Sequence, residues 1–209
     1  MIRRPDSDRA TEMPIGWITE PPIVKAPDLR SGRAVLRNLK AAIANYLTDV
    51  GAAAPPSAGR DAAHQQWLER GGSAYGIVDA IKDDWHPDTE DLWVYLICAQ
   101  PIGVMTIAQA GNGFLHIDYL ATHPGSADCG GVLMQKAVQL SVAAGCGGKI
   151  RLCAANDHAR QVYAHLGFKT IANGGADDME LDPATSAKWA RLAGSYHYAP
   201  YVPGSRWAS

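Results

Sequence analysis

Apolar residues return at three- and four-residue intervals between Ala34 and Val50, at Val35, Leu36, Leu39, Ile43, Tyr46 and Leu47. That spacing lines one face of a helix and predicts an amphipathic one here. Gly51-Ala-Ala-Ala-Pro-Pro-Ser ends it. A second helix is predicted from Asp61 to Glu69, with Gly71-Gly72 as its stop. From residue 92 the character changes. Leu92-Trp-Val-Tyr-Leu-Ile-Cys and Ile102-Gly-Val-Met-Thr-Ile-Ala are rich in strand formers, and Ala99-Gln100-Pro101 between them predicts a hairpin. A third run, Phe114-Leu-His-Ile-Asp-Tyr-Leu-Ala-Thr-His, follows the turn Gly111-Asn112-Gly113.

His123-Pro-Gly-Ser-Ala-Asp-Cys-Gly-Gly then opens a helix on which Val132, Leu133, Ala137, Val138, Leu140 and Val142 form a broad apolar surface. A short strand, Lys149-Ile-Arg-Leu-Cys-Ala, comes next. Asn156 is a good N-cap for another helix, with Ala159, Val162, Tyr163 and Leu166 on one face, and Gly167-Phe168 is a good stop with a hydrophobic tail contact. Final strands are predicted at Lys169–Ala172 and Asp178–Leu181. This order describes an α/β (α+β) domain with a mixed sheet and helices on its faces, in which the strand–helix–strand step over residues 114–153 requires a parallel crossover. Residues 1–14 are expected to be disordered, residues 15–182 to form the domain, and residues 183–209 to form an extension. That extension carries Trp189, Tyr196, Tyr198, Tyr201 and Trp207, and is expected to pack on the domain or on a partner subunit.

Composition narrows the functional classes. With 209 residues, 47% of them hydrophobic, the chain can bury a full core, and a net charge of -2 supplies no basic field for nucleic acid or an anionic membrane. No run approaches the ~20 apolar residues of a membrane span, and the first residues lack the apolar core of a secretory signal, so a cytoplasmic protein is expected. Cys98, Cys129, Cys146 and Cys153 form no CxxC pair and no zinc-type cluster with the histidines; reduced thiols and no metal are expected. Cys129 alone has a tempting context, among glycines near a helix start where a thiolate is favoured, although no base is visible beside it.

A strand that runs through a glycine-bearing loop into a helix start presents free backbone N–H groups to an anion. Here Gly125, Gly130 and Gly131 permit close approach and Ser126 adds a hydroxyl; the alternative is a tight turn that binds nothing. Asn156-Asp-His-Ala-Arg-Gln-Val-Tyr-Ala-His-Leu-Gly-Phe resembles a signature of the GNAT superfamily of acyl-CoA N-acyltransferases. Leu120-Ala-Thr-His-Pro resembles the end of that family's central strand, and Met179-Glu-Leu its closing strand, so the resemblance spans residues 92–182. Its pyrophosphate loop is matched with departures: Asp128 stands at a glycine position and Gly125 at a Gln/Arg position.

The resemblance implies a mostly antiparallel sheet splayed in the middle and acetyl-CoA as acyl donor. It implies that backbone groups of Leu120, Ala121 and Thr122 pair with the pantetheine arm and that Leu120 N–H polarises the thioester carbonyl. It further implies that the Gly125, Ser126, Gly130 and Gly131 loop holds the pyrophosphate, that Asn156 contacts the cofactor, and that Tyr163 faces its sulfur as a general acid. For the base, His116 and Asp118 lie two apart on the central strand and hence on one face, with Leu115, Ile117, Tyr119 and Ala121 opposite. His116 also falls where relatives carry a glutamate base. A polar pair with a structural role is the alternative. His123 is read as a loop residue, and His158 and His165 as solvent-facing.

The expected activity is direct acetyl transfer to an amine in a ternary complex, the acceptor being a small molecule rather than a protein. A non-catalytic acyl-CoA-binding or partner-binding module on the same fold is the alternative. Asp83, Asp84, Asp88, Glu90 and Asp91 could draw in a cationic amine or simply form a solvated loop. The aromatic tail is a natural dimer element.

Overall fold

The structure is a computed structural model that describes residues 22–53, 58–126, 128–172 and 174–201. The expected disorder over residues 1–14 and the contact of Trp207 concern residues outside these ranges. Strands β1 (Ile23–Lys25), β2 (Glu90–Ile97), β3 (Gln100–Gly111), β4 (Phe114–Thr122), β5 (Ile150–Cys153), β6 (Lys169–Thr170) and β7 (Asp178–Leu181) form a seven-stranded sheet in the order β1-β2-β3-β4-β5-β7-β6. All pairings are antiparallel except β4 with β5. The expected parallel crossover is therefore present, with α3 (Cys129–Ala143) as its helix.

Helices α1 (Leu29–Ala53) and α2 (Ala58–Asp84) cover one face of the sheet, and α3 and α4 (Asp157–His165) the other. Leu36, Leu39 and Ile43 of α1 and Val78 and Ile81 of α2 are fully buried against Leu92, Val94 and Val104. On the opposite face Leu133, Met134, Ala137 and Val138 of α3 pack on Met105, Ile107, Leu115, Ile117, Ile150 and Leu181.

The second helix does not stop at Gly71-Gly72. It runs on to Asp84, because Gly71, Ala74, Val78, Ile81 and Trp85 form a continuous buried stripe at helical spacing. Gly71 is part of that stripe: a Cβ there would lie 2.3 Å from Leu47 Cδ2, so the missing side chain is what lets α2 approach α1. The first hairpin turns one residue earlier than expected. Cys98 and Ala99 are both left-handed (φ 49° and 62°) and Ile97 pairs with Gln100, the two-residue turn whose twist suits a hairpin. Strand β1, which adds to β2 at the sheet edge, has no counterpart among the predicted elements.

In the tail, β8 (Trp189–Leu192) and β9 (Ser195–Tyr198) form a separate hairpin. It is fastened to the α3/α4 face: Trp189 Nε1 donates to the Leu166 carbonyl at 2.8 Å and the Tyr198 amide to Gln135 Oε1 at 3.1 Å.

One irregularity in the sheet matters most. Ile107 pairs with Ile117 but Thr106 pairs with Tyr119, so Asp118 is an extra residue in β4, a β-bulge. The expected alternation of faces therefore breaks at Asp118. Leu115 and Ile117 point into the core under α3, as Leu120 does, while Tyr119 and Ala121 cross to the core under α1 and α2.

The two adjacent glycines of α2 should respond oppositely to substitution. Gly72 faces open space, and Gly72→Ala is expected to stabilise by about 0.5–1 kcal/mol through the unfolded chain and helix propensity. Gly71→Leu, driven into Leu47, should destabilise by roughly 1–3 kcal/mol, both read from urea unfolding midpoints.

Candidate active site

Strand β4 is joined to β5 only through Leu115–Ile117, opposite Ile150–Leu152; beyond Asp118 it keeps β3 alone. A gap opens there between two parallel strands. Hydrogen-bond direction shows which groups face it. The Leu115 amide donates to Lys149 O at 3.0 Å, toward β5, whereas the His123 amide donates to Ile102 O at 2.7 Å, toward β3. Both are odd-numbered, so the bulge between them has reversed the phase of the strand. After it, Tyr119, Ala121 and His123 direct their N–H groups to β3, and Leu120 and Thr122 direct theirs into the gap.

On the α1/α2 face of this gap stands a group of acids. His116 alternates with Leu115 and Ile117 and so points away from the α3 core, next to Arg151 in the β4–β5 ladder. Arg151 is itself occupied, with Glu180 at 3.1 Å and the Phe114 ring at 3.8 Å. Asp118 sits where the strands part. It is open to solvent on one side, yet burial by the rest of its surroundings raises its carboxyl, and His116 pulls it partly back. Glu90, at the start of β2, is also raised, first by burial and then by the charges of Asp118 and Asp84; a hydrogen bond from Thr106 acts the other way. Its Oε2 is buried without a hydrogen-bond partner. Tyr119 donates its hydroxyl to Asp84 Oδ2 at 2.8 Å, tying the last residue of α2 to the bulge.

The acidic stretch between α2 and β2 thus divides. Asp91 pairs with Lys25 at 2.6 Å, and Asp83 and Asp88 lie in exposed contacts with Lys82 and His86, while Asp84 and Glu90 turn toward Asp118. Trp85 fixes that division: it is buried and its Nε1 donates to the Glu90 carbonyl at 3.0 Å. Tyr119 and Thr106 were not identifiable as site residues from the alternating pattern, which assigned Tyr119 to the opposite face. Only the lone polar residue inside Val104-Met-Thr-Ile hinted at the second.

Tyr163 lies on the other face. It packs in the core under α3 and α4, its ring centroid 5.6 Å from that of Phe168, and burial pushes its hydroxyl up to about 12. Sheet and gap therefore separate Tyr163 from His116 and Asp118. Asn156 is the N-cap of α4, its Oδ1 accepting from the Ala159 amide at 2.9 Å. That leaves its exposed amide NH2 as the part able to meet a ligand. His158 and His165 are exposed, in agreement with the sequence reading. Cys129 is buried and donates to Ile102 O at 3.4 Å; burial pushes its thiol up to about 12, so it stays protonated and carries no nucleophile.

The glycine-bearing loop is divided in its capacity to hold an anion. Gly125 N–H donates to His123 Nδ1 at 3.1 Å, and Ser126 donates both its N–H (3.0 Å) and its hydroxyl (2.6 Å) to the His123 carbonyl. These donors close the turn. His123 is more than a loop residue, since its ring also packs edge-on to Tyr46 of α1 at 5.1 Å. The helix end is the open part. Asp128 takes a left-handed conformation (φ 59°) and its side chain does not cap α3, so the first-turn amides of Cys129, Gly130 and Gly131 have no side-chain cap. A Cβ on Gly130 would meet nothing within 4 Å. This end has room for an anion such as a pyrophosphate, whereas the donors of Gly125 and Ser126 are already used within the turn. Among the described residues no three His, Cys, Asp or Glu side chains are grouped so as to hold a metal ion, and no helix is long and apolar enough to cross a membrane.

The profile of the Acetyltransferase (GNAT) family matches residues 60–168, about half of the chain. The chain belongs to the GNAT acetyltransferase family. The match starts within α2 and ends at Phe168, enclosing the bulge, the gap and the loop. No curated protein matches the chain. Among solved structures it is similar to the PaiA N-acetyltransferase of Thermoplasma acidophilum in complex with coenzyme A, at 12% identity and a TM-score of 0.44 over 76% of this chain and 97% of that one. A Bacillus subtilis acetyltransferase in complex with CoA matches at 16% identity and a TM-score of 0.38, over 50% and 82%. The KacTA–DNA complex matches at 15% and 0.42, over 48% and 72%.

Two measurements test this site. Acetyl-CoA at 100 times its Kd should stabilise the protein by about 2.7 kcal/mol, and Gly130→Glu, whose carboxylate fills the open helix end, should abolish that gain without unfolding the protein. Glu90→Gln should raise the thermal midpoint at neutral pH. Because the folded carboxyl is raised, the native state keeps a proton the unfolded chain has lost, and wild-type stability falls as pH climbs through that window. The advantage of Glu90→Gln should therefore vanish at acid pH, where Glu90 is protonated in both states.

Proposed function

We propose that this protein transfers the acetyl group of acetyl-CoA to the amino group of a small cationic amine by direct attack. The observation that carries this reading is the β4–β5 gap, into which Leu120 and Thr122 turn their N–H groups, with Asp118 on one face and Tyr163 on the other. Gly130 and the first turn of α3 hold the pyrophosphate, and the Leu120 N–H meets the thioester carbonyl.

The amine enters from the α1/α2 face, drawn by Asp84, Glu90 and Asp118. Its nitrogen forms the new bond to the acetyl carbon and Asp118 takes the proton that the nitrogen sheds, directly or through one water. Asp118 is a better-placed base than His116, which sits one step inside the joined part of the ladder, and a raised carboxyl is a stronger base than an ordinary one. His116 supports the charge of Asp118. The carbon–sulfur bond then breaks toward Tyr163. A phenol at about 12 is a weaker acid than a thiol of ~8.5, so outright proton transfer to the sulfur is uphill by roughly 5 kcal/mol. Tyr163 accordingly serves as a hydrogen-bond donor to the departing thiolate, which leaves as CoA and collects its proton from water.

Release of free thiol from acetyl-CoA across a panel of amines tests the proposal; polyamines and other multiply charged amines should be preferred to neutral peptides. No acetyl transfer to any amine, with acetyl-CoA bound, would overturn it. Tyr163→Phe should lower kcat by about tenfold, short of the ~10²–10⁴ of a full general acid, with KM for acetyl-CoA nearly unchanged. Asp118→Asn should remove the acid limb of the kcat/KM profile, whereas His116→Ala should move that limb to higher pH by withdrawing the charge that lowers Asp118.

A further inference from the structure

Thr106 is fully buried, and Thr106 and Ser141 are the buried polar residues of the described part of the chain. A buried hydroxyl needs a partner, and that of Thr106 is unusual for a strand interior. Its Oγ1 accepts the backbone N–H of Tyr119, directly opposite on β4, at 3.1 Å. In a regular ladder a backbone carbonyl would take that proton. Here the extra residue Asp118 lies between two differently phased halves of the strand, and the side-chain hydroxyl takes the Tyr119 amide just where the phase changes.

The consequence reaches the gap. With Tyr119 N–H committed to β3, Leu120 N–H must point to the opposite side, between β4 and β5. If Tyr119 N–H were released, the bulge could slide or flatten. In a continuous ladder that kept the phase of Leu115, the odd-numbered amides would face β5 and Leu120 N–H would turn back toward β3. We propose that Thr106 is a positioning residue: its hydroxyl clamps the bulge at Asp118 and thereby holds the Leu120 N–H in the orientation that polarises the acyl carbonyl. Asp84 steadies the same residue from the other end through the Tyr119 hydroxyl. This inference rests on the acetyl-transfer reading above only for what the polarised carbonyl is used for.

Thr106→Val keeps the branched shape and deletes the clamp; Thr106→Ser keeps the hydroxyl and deletes a methyl group. Infrared difference spectra of bound acetyl-CoA labelled with ¹³C at the acetyl carbonyl read the polarisation without any acceptor, and hydrogen exchange at the Tyr119 amide reads the clamp itself. In Thr106→Val the downshift of the carbonyl band should be largely lost, Tyr119 exchange should accelerate about tenfold, and kcat should fall about tenfold. Thr106→Ser should restore all three toward wild type. A Thr106→Val protein that is less stable but keeps the carbonyl band, or a Thr106→Ser protein as impaired as Thr106→Val, would overturn the proposal. Wild-type protein that binds acetyl-CoA without any band shift would overturn it too. An intact, Thr106-dependent band shift in a protein that acetylates no amine would instead overturn the proposed function and leave the clamp standing.

Discussion

The extra residue at Asp118 is the constraint on which the site depends. A sheet with a continuous ladder would pair β4 with β5 along its length and offer a ligand no backbone groups. One inserted residue reverses the phase of the strand, parts it from β5, and exchanges which side chains enter which core. The exchange is visible in the packing: Ile117 belongs to the core under α3, and two positions later Tyr119 belongs to the core under α1 and α2. A buried hydroxyl at Thr106 satisfies the amide that the irregularity displaces, so the defect is held at one position rather than migrating along the strand.

The elements around the bulge serve to keep it open and chemically asymmetric. The α1–α2 hairpin is drawn together at Gly71, by the Lys40–Asp79 ion pair and by Lys40 lying 4.4 Å from the Tyr75 ring, and its end delivers Trp85 and Asp84 to the rim. On the far face, α3 and α4 enclose Tyr163 in apolar surroundings, where its hydroxyl keeps its proton at any physiological pH. Acids on one face and a protonated phenol on the other make the gap asymmetric, and the proposed direction of transfer, amine from the first side and thiolate toward the second, rests on that asymmetry.

That arrangement works against stability. Glu90 has a buried oxygen with no hydrogen-bond partner, its carboxyl is raised first by burial and then by the charges of Asp118 and Asp84, and burial raises the carboxyl of Asp118 as well. An arrangement optimised for folding alone would place a lysine or an amide among them. On the proposed reading, a cationic acceptor would offset the charge gathered there.

Much of the architecture was legible in residue order alone, because periods of two and of three to four are local properties: α1, the β2–β3–β4 meander, the α3 crossover, the Asn156 cap and Gly167 all follow from short stretches of chain. The stripe on α2 was not, since Gly71 and Ala74 carry almost no hydrophobic signal and a glycine pair reads as a stop until Leu47 is brought against it. The family and the Asn156–Phe168 signature were likewise in the sequence, and His116, Asp118 and Tyr163 could be singled out there, whereas Tyr119 and Thr106 could not. Where those side chains point was decided by tertiary structure. A bulge is a mismatch between two strands, and nothing within β4 itself reveals that Thr106 of its neighbour takes the Tyr119 amide, that Tyr119 therefore changes faces, or that Asp84 and Glu90 leave a solvated stretch to stand beside Asp118. Local sequence specifies which elements form; only the pairing of one strand with another specifies which of their groups are left over for chemistry.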